Sequence, residues 1–268
     1  MSYYASDETE GAKEGCIMNN CAVILAGGEG KRMKSDLPKP LVRVLDKPLL
    51  QWVIESVKKA GVDDICVVKG YKKECIEDFV ATLPYDVETV YQSERLGTGH
   101  AVMMAKDFLE KHDGNVVILN GDAPFMDFET ISSALKLHTD TESVATVISA
   151  EVSDPTGYGR IIRDKEGNFL KIVEQKDGTP EELKVSEVNS GGFWFNCEKL
   201  LSVLGEIKSN NNAKEYYLPD ALAILLEKGE NVTAYTAKNS DSVLGANDPQ
   251  QLEELNELAR RKGYNTDI

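Results

Sequence analysis

Short apolar runs alternate with amphipathic stretches along the first half of the chain, starting at Ala22. The runs AVILA, DICVV, VETVYQ and NVVILN have the length and β-branched content of strands. The stretches between them, PLLQWVIESVKKAG, KKECIEDFVATL and GHAVMMAKDFLEKH, place their apolar residues on one helical face, and Gly61 is positioned to end the first helix. This alternation predicts parallel strands joined by right-handed helical crossovers.

The pattern changes after Asp127, which is itself suited to cap the helix DFETISSALKLH. The segment GRIIRDKEGNFLKIVEQK is typical of a β-hairpin that turns at DKEGN. Further strands are predicted at SVATVISAEV, VSEVNSGGFWFN and NVTAYTA, and further helices at YYLPDALAILLEKGE and NDPQQLEELNELARRKG. The sequence therefore predicts an α/β fold, in which the second half inserts antiparallel structure beside a doubly wound sheet.

Composition narrows the classes of function. The chain has 268 residues and a net charge of −15, which argues against a nucleic-acid or anionic membrane surface. No apolar run approaches the roughly 20 residues of a membrane span, and the N-terminus lacks the features of a signal peptide. We expect a mobile tail at residues 1–18, one domain at 19–268, a cytoplasmic location and reduced cysteines.

One local segment departs from the acidic character of the chain. The segment CAVILAGGEGKRMKSDLPKPL has a strand, a glycine-rich loop and then a cluster of cations, namely Lys31, Arg32, Lys34 and Lys39. It matches neither the dinucleotide-binding G-x-G-x-x-G nor the phosphate-binding G-x-x-x-x-G-K-[ST] motif. Such a loop at the carboxyl end of a strand favours a bound anion, and the alternative is a solvated charged surface.

This segment resembles the signature of the sugar-1-phosphate nucleotidyltransferases, L-x-G-G-x-G-x-R-[ML] followed by P-K-[PV]. Six further stretches agree in order: YQSERLGTGHA, LNGDAP, DPTGYGRI with IVEQKD, EVNSGGFWF, NNNAKEYYLPD and VLGANDPQQL. Together they are most similar to the uridylyltransferase domain of bacterial N-acetylglucosamine-1-phosphate uridylyltransferases, over roughly residues 21–257. The resemblance implies a Rossmann-like, GT-A-like mixed sheet with an inserted antiparallel sugar-binding portion.

The implied reaction transfers a uridylyl group from UTP to N-acetylglucosamine 1-phosphate and releases pyrophosphate. A phosphate monoester has a second pKa of about 6, so the nucleophile needs no general base and catalysis depends on charge neutralisation and positioning. Arg32 suits the triphosphate through its bidentate fork, and Lys39 suits the sugar phosphate as a point charge. Asp122, where a strand leaves the sheet, is a natural Mg²⁺ ligand.

The resemblance assigns the remaining positions. It implies Asn247 as the second Mg²⁺ ligand, although NDP before a helix is also ordinary capping sequence. The implied nucleotide-binding residues are Leu25, Ala26, Gly27, Gly28, Gln92, Gly97, Thr98, Asn120 and Gly121, and the implied sugar-binding residues are Gly159, Glu174, Asn189 and Tyr217. Tyr217 is equally suited to a core, Glu174 to a solvated strand and Gly159 to a turn. His100 is either a structural helix-opening residue or a ligand contact.

Three positions depart from the usual family text. Asn120 stands where an aromatic residue usually precedes Gly-Asp, PKPL replaces PKVL, and NSG replaces NTG. These departures bear on the choice of base and sugar, so another sugar 1-phosphate with UTP or dTTP is the alternative, and a non-catalytic nucleotide-sugar sensor is a second. No hexapeptide repeats of an acetyltransferase domain follow up to Ile268, so acetylation is not expected of this chain. The oligomeric state is left open.

Overall fold

The fold is described from a computed structural model, which covers residues 19–211 and 213–264. The tail predicted at 1–18 lies outside the described residues. The strands are β1 Cys21–Ala26, β2 Arg43–Val44, β3 Lys47–Pro48, β4 Asp64–Lys69, β5 Glu88–Tyr91, β6 Asn115–Asn120, β7 Ala145–Glu151, β8 Arg160–Arg163, β9 Phe169–Val173, β10 Glu187–Asn196 and β11 Val232–Thr236. The helices are α1 Leu49–Lys59, α2 Lys73–Val80, α3 Thr98–Met104, α4 Lys106–Leu109, α5 Phe128–Asp140, α6 Cys197–Leu204, α7 Pro219–Glu227 and α8 Pro249–Lys262.

The central sheet has the strand order β11-β7-β10-β6-β1-β4-β5. Pairing is parallel for β1 with β4 and β6, for β4 with β5, and for β7 with β11. Strand β10 runs antiparallel to both of its neighbours, β6 and β7, and its outer end also pairs with the β8–β9 hairpin. The sheet is therefore mixed, as the sequence predicts, and the antiparallel strand β10 lies between two parallel groups, β6-β1-β4-β5 and β7-β11.

Alternate residues of the central strands face two separate cores. Cys21 and Val23 of β1 pack in one core with α3, α4, α6 and α7, whereas Ala22 and Ile24 pack in the other with α1, α2 and α5. This alternation of side-chain direction along a strand is why the sheet is covered by helices on both faces. A third, smaller core joins α8 to the β2–β3 hairpin.

Some elements differ from the sequence prediction. The single helix expected after residue 98 is divided at Ala105 into α3 and α4. Helix α6 was not predicted, although the side chain of Asn196 caps it by accepting a hydrogen bond from the Lys199 amide. The β2–β3 hairpin was also missed, because its two-residue strands are too short to produce a periodic pattern.

Two further expectations concern thiols and membranes. Cys21, Cys66, Cys75 and Cys197 are free thiols, and Cys16 lies outside the described residues. The Sγ atoms of Cys21 and Cys197 are 4.0 Å apart in the core, too far for a disulfide bond of about 2.05 Å. Over residues 19–211 and 213–264, no helix has both the length and the hydropathy that crossing a bilayer requires.

Candidate active site

The glycine-rich loop leaves the sheet at the carboxyl end of β1, beside the ends of β4 and β5. A Cβ atom on Gly27 would lie 2.9 Å from the Oε1 atom of Gln92, and one on Gly70 would lie 2.6 Å from the Gly27 carbonyl oxygen. A side chain at Gly70 would clash with the backbone of the loop, and one at Gly27 would displace the buried Gln92 side chain. The glycines therefore bring the loop backbone against the neighbouring strand ends, which leaves its N–H groups near the sheet edge.

The segment after β5 forms the second wall. Gln92 is 5 % exposed, and its Nε2 atom donates to the Gly97 carbonyl oxygen at 3.1 Å. The segment 96–99 is in turn held against residues 216–218: the Gly99 amide donates to the Tyr216 carbonyl at 2.8 Å, and the Thr98 hydroxyl accepts from the Leu218 amide at 3.0 Å. These bonds fix the GTG segment to a distant part of the chain.

A cavity of about 270 Å³ opens between these walls. Its volume is near the lower limit of small-molecule sites, about 300 Å³. It is lined by Leu25, Gly27, Gly28, Lys39, Pro40, Gln92, Arg95, Gly97, Thr98, Ala101, Asn120, Asp122 and Glu215. Most of the nucleotide positions predicted from sequence are therefore brought together with Lys39 and Asp122.

The ammonium group of Lys39 joins both candidate metal ligands. Its Nζ atom forms an ion pair with the Oδ2 atom of Asp122 and donates to the Oδ1 atom of Asn247 at 2.8 Å. The Lys39 side chain is only 11 % exposed, and the backbone before it is fixed by Pro38. Three residues from three separate parts of the chain thus converge on one point.

The sequence NDP before α8 serves two purposes at once. The side chain of Asp248 caps α8 by accepting from the Gln251 amide at 2.9 Å, and Pro249 begins the helix, as the capping interpretation requires. The backbone amide of the preceding Asn247 donates to the side-chain oxygen of Gln251 at 2.8 Å. The side-chain oxygen of Asn247 is therefore left to accept from Lys39. Capping and participation in the site are therefore compatible.

Arg32 is not among the residues that line the cavity. It lies on a single turn, Lys31–Met33, and its side chain is exposed. The turn is flanked by Gly30 and Lys34, both with positive φ angles of 63° and 50°. The catalytic role of Arg32 stays a prediction.

A different arginine lines the cavity. The Nη1 atom of Arg95 lies 3.0 Å from the Oε2 atom of Glu29, which joins the glycine-rich loop to the segment after β5. Sequence analysis missed Arg95, Pro40, Ala101 and Glu215. Arg95 had a detectable signal, because it is a cation inside the motif YQSERLGTGHA.

Two predicted nucleotide positions lie behind the cavity surface. Ala26 is buried and paired with Lys69 of β4. The Gly121 amide donates to the Leu25 carbonyl at 2.9 Å, and a Cβ atom on Gly121 would lie 3.1 Å from the same oxygen. Both residues therefore support the cavity wall through the backbone.

The predicted sugar-binding residues follow the sheet edge from the cavity. Asn120 lies against Gly191, which has a φ angle of 77°. A Cβ atom on Gly191 would lie 2.2 Å from the Nδ2 atom of Asn120, so this position favours glycine. The Gly191 amide donates to the Asn189 side chain at 2.9 Å, and the Asn189 amide donates to the Gly159 carbonyl at 2.8 Å. A Cβ atom on Gly159 would lie 3.2 Å from Glu174 Oε1. Gly159, Glu174 and Asn189 thus form one continuous group.

Tyr217 and Glu174 also line a smaller cavity of about 110 Å³, together with Asp220. Desolvation, and then the charges of Asp177 and Asp220, raise the pKa of Glu174. Desolvation likewise raises the pKa of Asp220. Desolvation and the carboxylates around Tyr217, that of Glu215 first, raise its pKa, so its hydroxyl keeps its proton. This end of the sheet edge offers neutral donors and carboxylate acceptors, which suit hydroxyl groups.

A larger cavity of about 480 Å³ contains none of the predicted site residues. It lies between α1, α5 and the end of α8 and has aromatic walls. Several of its polar groups are engaged within the protein: Asp127 accepts from the Thr130 amide and from Asn239, and Lys262 pairs with Asp241. The first cavity is therefore the candidate active site.

Comparison with known proteins identifies the family. Residues 21–248 match the family described as Nucleotidyl transferase. The chain belongs to the nucleotidyl transferase family. The matched range includes every residue of the cavity and both residues that contact the Lys39 ammonium group.

This nucleotidyl transferase is similar to curated proteins named Bifunctional protein GlmU. It is 42 % identical to that of Acetivibrio thermocellus over 247 residues, which cover 92 % of this chain and 52 % of the relative. It is 45 % identical to that of Clostridium novyi over 243 residues, which cover 91 % of this chain and 53 % of the relative. The chain thus spans about half the length of the curated relatives it matches.

Two solved structures share the fold of this nucleotidyl transferase. One, from Bacillus anthracis, is assigned as a glucose-1-phosphate thymidylyltransferase in complex with sucrose; it has a TM-score of 0.73, 23 % identity, and coverage of 93 % of this chain and 96 % of the other. A UDP-glucose pyrophosphorylase in complex with UDP-glucose has a TM-score of 0.74, 19 % identity, and coverage of 92 % and 100 %. At these identities the likeness extends to the fold alone.

Proposed function

We propose that this chain transfers a uridylyl group from UTP to N-acetylglucosamine 1-phosphate, giving UDP-N-acetylglucosamine and pyrophosphate. The observation that carries the proposal is the convergence of Lys39, Asp122 and Asn247 at the cavity beside the glycine-rich loop. The motif resemblance and the similarity to the GlmU proteins support the choice of substrates.

The reacting groups are anionic, and the cavity supplies cations and backbone donors. The loop at Gly27 and Gly28 would accept the triphosphate against its N–H groups, because no side chain blocks the approach. Lys39 would neutralise charge on the reacting phosphates. The sugar phosphate is already largely dianionic at neutral pH, so no general base is needed, and catalysis depends on alignment of nucleophile, phosphorus and leaving group.

The donor set fits a Mg²⁺ ion. The oxygens of Asp122 and Asn247 already converge on one positive group, the ammonium of Lys39, so the point between them favours a cation. No cluster of three or more His, Cys, Asp or Glu side chains able to hold a metal occurs among residues 19–211 and 213–264. Mg²⁺ commonly takes one or two protein oxygens and completes its shell with phosphates and water. We propose that Asp122 and Asn247 hold Mg²⁺, which would stabilise the developing charge on the phosphates.

Base and sugar selection are assigned to the two ends of the site. Gln92, Gly97 and Thr98 would contact uracil, and Leu25, Ala26, Asn120 and Gly121 would shape the nucleotide site around it. Gly159, Glu174, Asn189 and Tyr217 would bind the sugar, since carboxylate, amide and hydroxyl groups match sugar hydroxyls and an acetamido group. Arg32 would contact the triphosphate from its exposed turn, which lies outside the cavity lining.

The test offers the purified chain a grid of nucleoside triphosphates and sugar 1-phosphates with Mg²⁺ and measures pyrophosphate release. We expect UTP with N-acetylglucosamine 1-phosphate to give the highest kcat/KM, and omission of either substrate to abolish release. Asp122→Asn should raise the Mg²⁺ concentration needed for half-maximal rate, because it removes the carboxylate charge.

Two outcomes would contradict the proposal in different ways. Highest turnover of glucose 1-phosphate with UTP or dTTP would favour the alternative substrates, which the shared fold with the thymidylyltransferase and pyrophosphorylase structures supports only weakly. Binding of UTP without pyrophosphate formation in any combination would favour a non-catalytic nucleotide-sugar sensor.

A further inference from the structure

The side-chain amide of Gln92 is held by two acceptors. Its Nε2 atom lies 3.1 Å from the carbonyl oxygen of Gly97 and 3.1 Å from the Nδ1 atom of His100. An amide NH₂ group has two hydrogens, so it can donate one to each acceptor. Both hydrogens of a buried amide are then engaged within the protein.

These contacts fix which way the amide faces. A backbone carbonyl can only accept, so Gly97 requires the Nε2 end of Gln92 to point toward it. Given that orientation, His100 must accept at Nδ1, and its proton resides on Nε2. The ring of His100 is held in place beside Tyr216, with the ring centroids 6.2 Å apart.

The other end of the amide faces the cavity. Gln92 lines the cavity, and its Oε1 atom lies 2.9 Å from the point where a Cβ atom on Gly27 would be. This oxygen accepts no hydrogen bond from any side chain or backbone group of residues 19–211 and 213–264. In that part of the chain it is not one of the buried side-chain atoms that lack a hydrogen-bond partner, so this unpaired oxygen keeps some exposed surface.

We infer that His100 is a positioning residue for base recognition: together with the Gly97 carbonyl it holds Gln92 so that Oε1 meets the base as an acceptor. This inference rests on the proposed function and deepens it. Uracil carries a hydrogen on N3 and can donate to this oxygen, whereas the N3 of cytosine is itself an acceptor. Two acceptors facing each other repel, so the fixed amide selects a uracil-type base.

Loss of the His100 acceptor leaves one buried N–H of Gln92 without a partner. An unsatisfied buried donor is costly, and the amide can recover a partner only by turning away from its present orientation. The turned amide would no longer present Oε1 alone to the base. Because the base is remote from the reacting phosphates, the effect falls on nucleotide binding and not on the chemical step.

The experiment compares His100→Leu with His100→Asn, whose Oδ1 can replace the Nδ1 acceptor. The measurements are kcat and KM with UTP and with CTP, and the binding of both nucleotides by calorimetry. For His100→Leu we expect KM for UTP to rise about tenfold at nearly unchanged kcat, and the UTP-to-CTP ratio of kcat/KM to fall by at least that factor, as for one lost hydrogen bond. His100→Asn should restore most of the ratio.

His112→Leu is the matched control, because His112 bonds to Phe108 and Asp64 at the amino-terminal edge of the sheet, away from the cavity. It should leave the ratio unchanged. If His100→Leu does not fold, His100→Ala is measured in its place. If His100→Leu or His100→Ala keeps the wild-type UTP-to-CTP ratio of kcat/KM, the inference is overturned and the proposed function stands. Wild-type protein that neither binds nor turns over UTP would overturn both.

Discussion

The side chain of Lys39 provides positive charge at the candidate active site. The whole chain carries a net charge of −15, yet Lys39 is placed where two oxygens from distant segments meet. Its ammonium group lies between the two oxygens of the proposed metal site. If Asp122 and Asn247 hold Mg²⁺ as proposed, Lys39 and the divalent cation would compete for the same two oxygens.

This competition gives a prediction for Lys39→Met. The substitution keeps most of the side-chain volume and removes the charge, so the nucleotide-free protein should bind Mn²⁺ more tightly than wild type, measured by electron paramagnetic resonance. Turnover should fall by about 10²-fold or more, because a charge contact to the reacting phosphates is lost. Lys34→Met, on the same loop but exposed, is the control and should change neither quantity. Unchanged Mn²⁺ affinity in Lys39→Met would contradict the competition.

At the scale of elements, a buried histidine joins a helix to two strands of the sheet. His138 of α5 is 2 % exposed, and its ring nitrogens contact Thr146 of β7 at 2.9 Å and Asn115 of β6 at 3.1 Å. Burial lowers the pKa of His138 to about 4, so the ring is neutral in the folded protein at neutral pH. Both contacts are made by the neutral ring.

The lowered pKa of His138 predicts a loss of stability in mild acid. In the unfolded chain the ring takes up a proton as the pH falls through about 6.5, while the folded protein resists protonation until about pH 4. The unfolded state therefore gains protons first, and the free energy of unfolding should drop by about 2 kcal/mol between pH 7 and pH 5 from this group alone. Urea denaturation at both pH values measures the drop.

The control for this prediction is His138→Gln, which keeps polar contacts and does not titrate. Its overall stability is expected to be lower at pH 7, but its free energy of unfolding should change less between the two pH values than that of wild type. Other groups titrate in both proteins. The difference between the two changes in the free energy of unfolding therefore isolates the contribution of His138. Equal changes in the free energy of unfolding in the two proteins would show that His138 does not titrate as proposed.

At the scale of the whole molecule, the packing of the last helix determines the geometry of the site. Asn247 immediately precedes α8, and α8 is anchored through Leu255 and Ala259 in the small core that also contains Val44 and Phe125. The distance from Asn247 to Lys39 therefore depends on contacts made by residues that do not line the cavity.

This dependence predicts that Leu255→Ala weakens metal use at a distance. Leu255 is 4 % exposed, and its truncation should reduce the free energy of unfolding by about 2–4 kcal/mol. At a temperature well below unfolding, the Mg²⁺ concentration for half-maximal rate should rise, because α8 holds Asn247 less firmly. Glu257→Ala, on the exposed face of the same helix, should change neither the stability nor the Mg²⁺ dependence appreciably. A normal Mg²⁺ titration in Leu255→Ala would show that α8 packing does not control the site.

Most of the strands and helices, and the edge of the sheet that bears the site, could be predicted from the amino-acid sequence. Apolar periodicity identifies β1, β4 and β6, and parallel strands bring their carboxyl ends to one edge, so the motif residues that follow those strands must lie close together. Short elements such as α6 and the β2–β3 hairpin were missed, because a few residues give too little periodic signal.

The tertiary structure alone decided which side chains meet. Lys39 and Asn247 are 208 positions apart, and only the docking of α8 brings them to 2.8 Å. Tertiary packing elsewhere placed Arg95 at the cavity and left Arg32 on an exposed turn, although both lie in glycine-containing motifs. It also set His100 against Gln92. Local patterns specify backbone conformation and burial, whereas the direction of a polar side chain depends on partners supplied by distant segments.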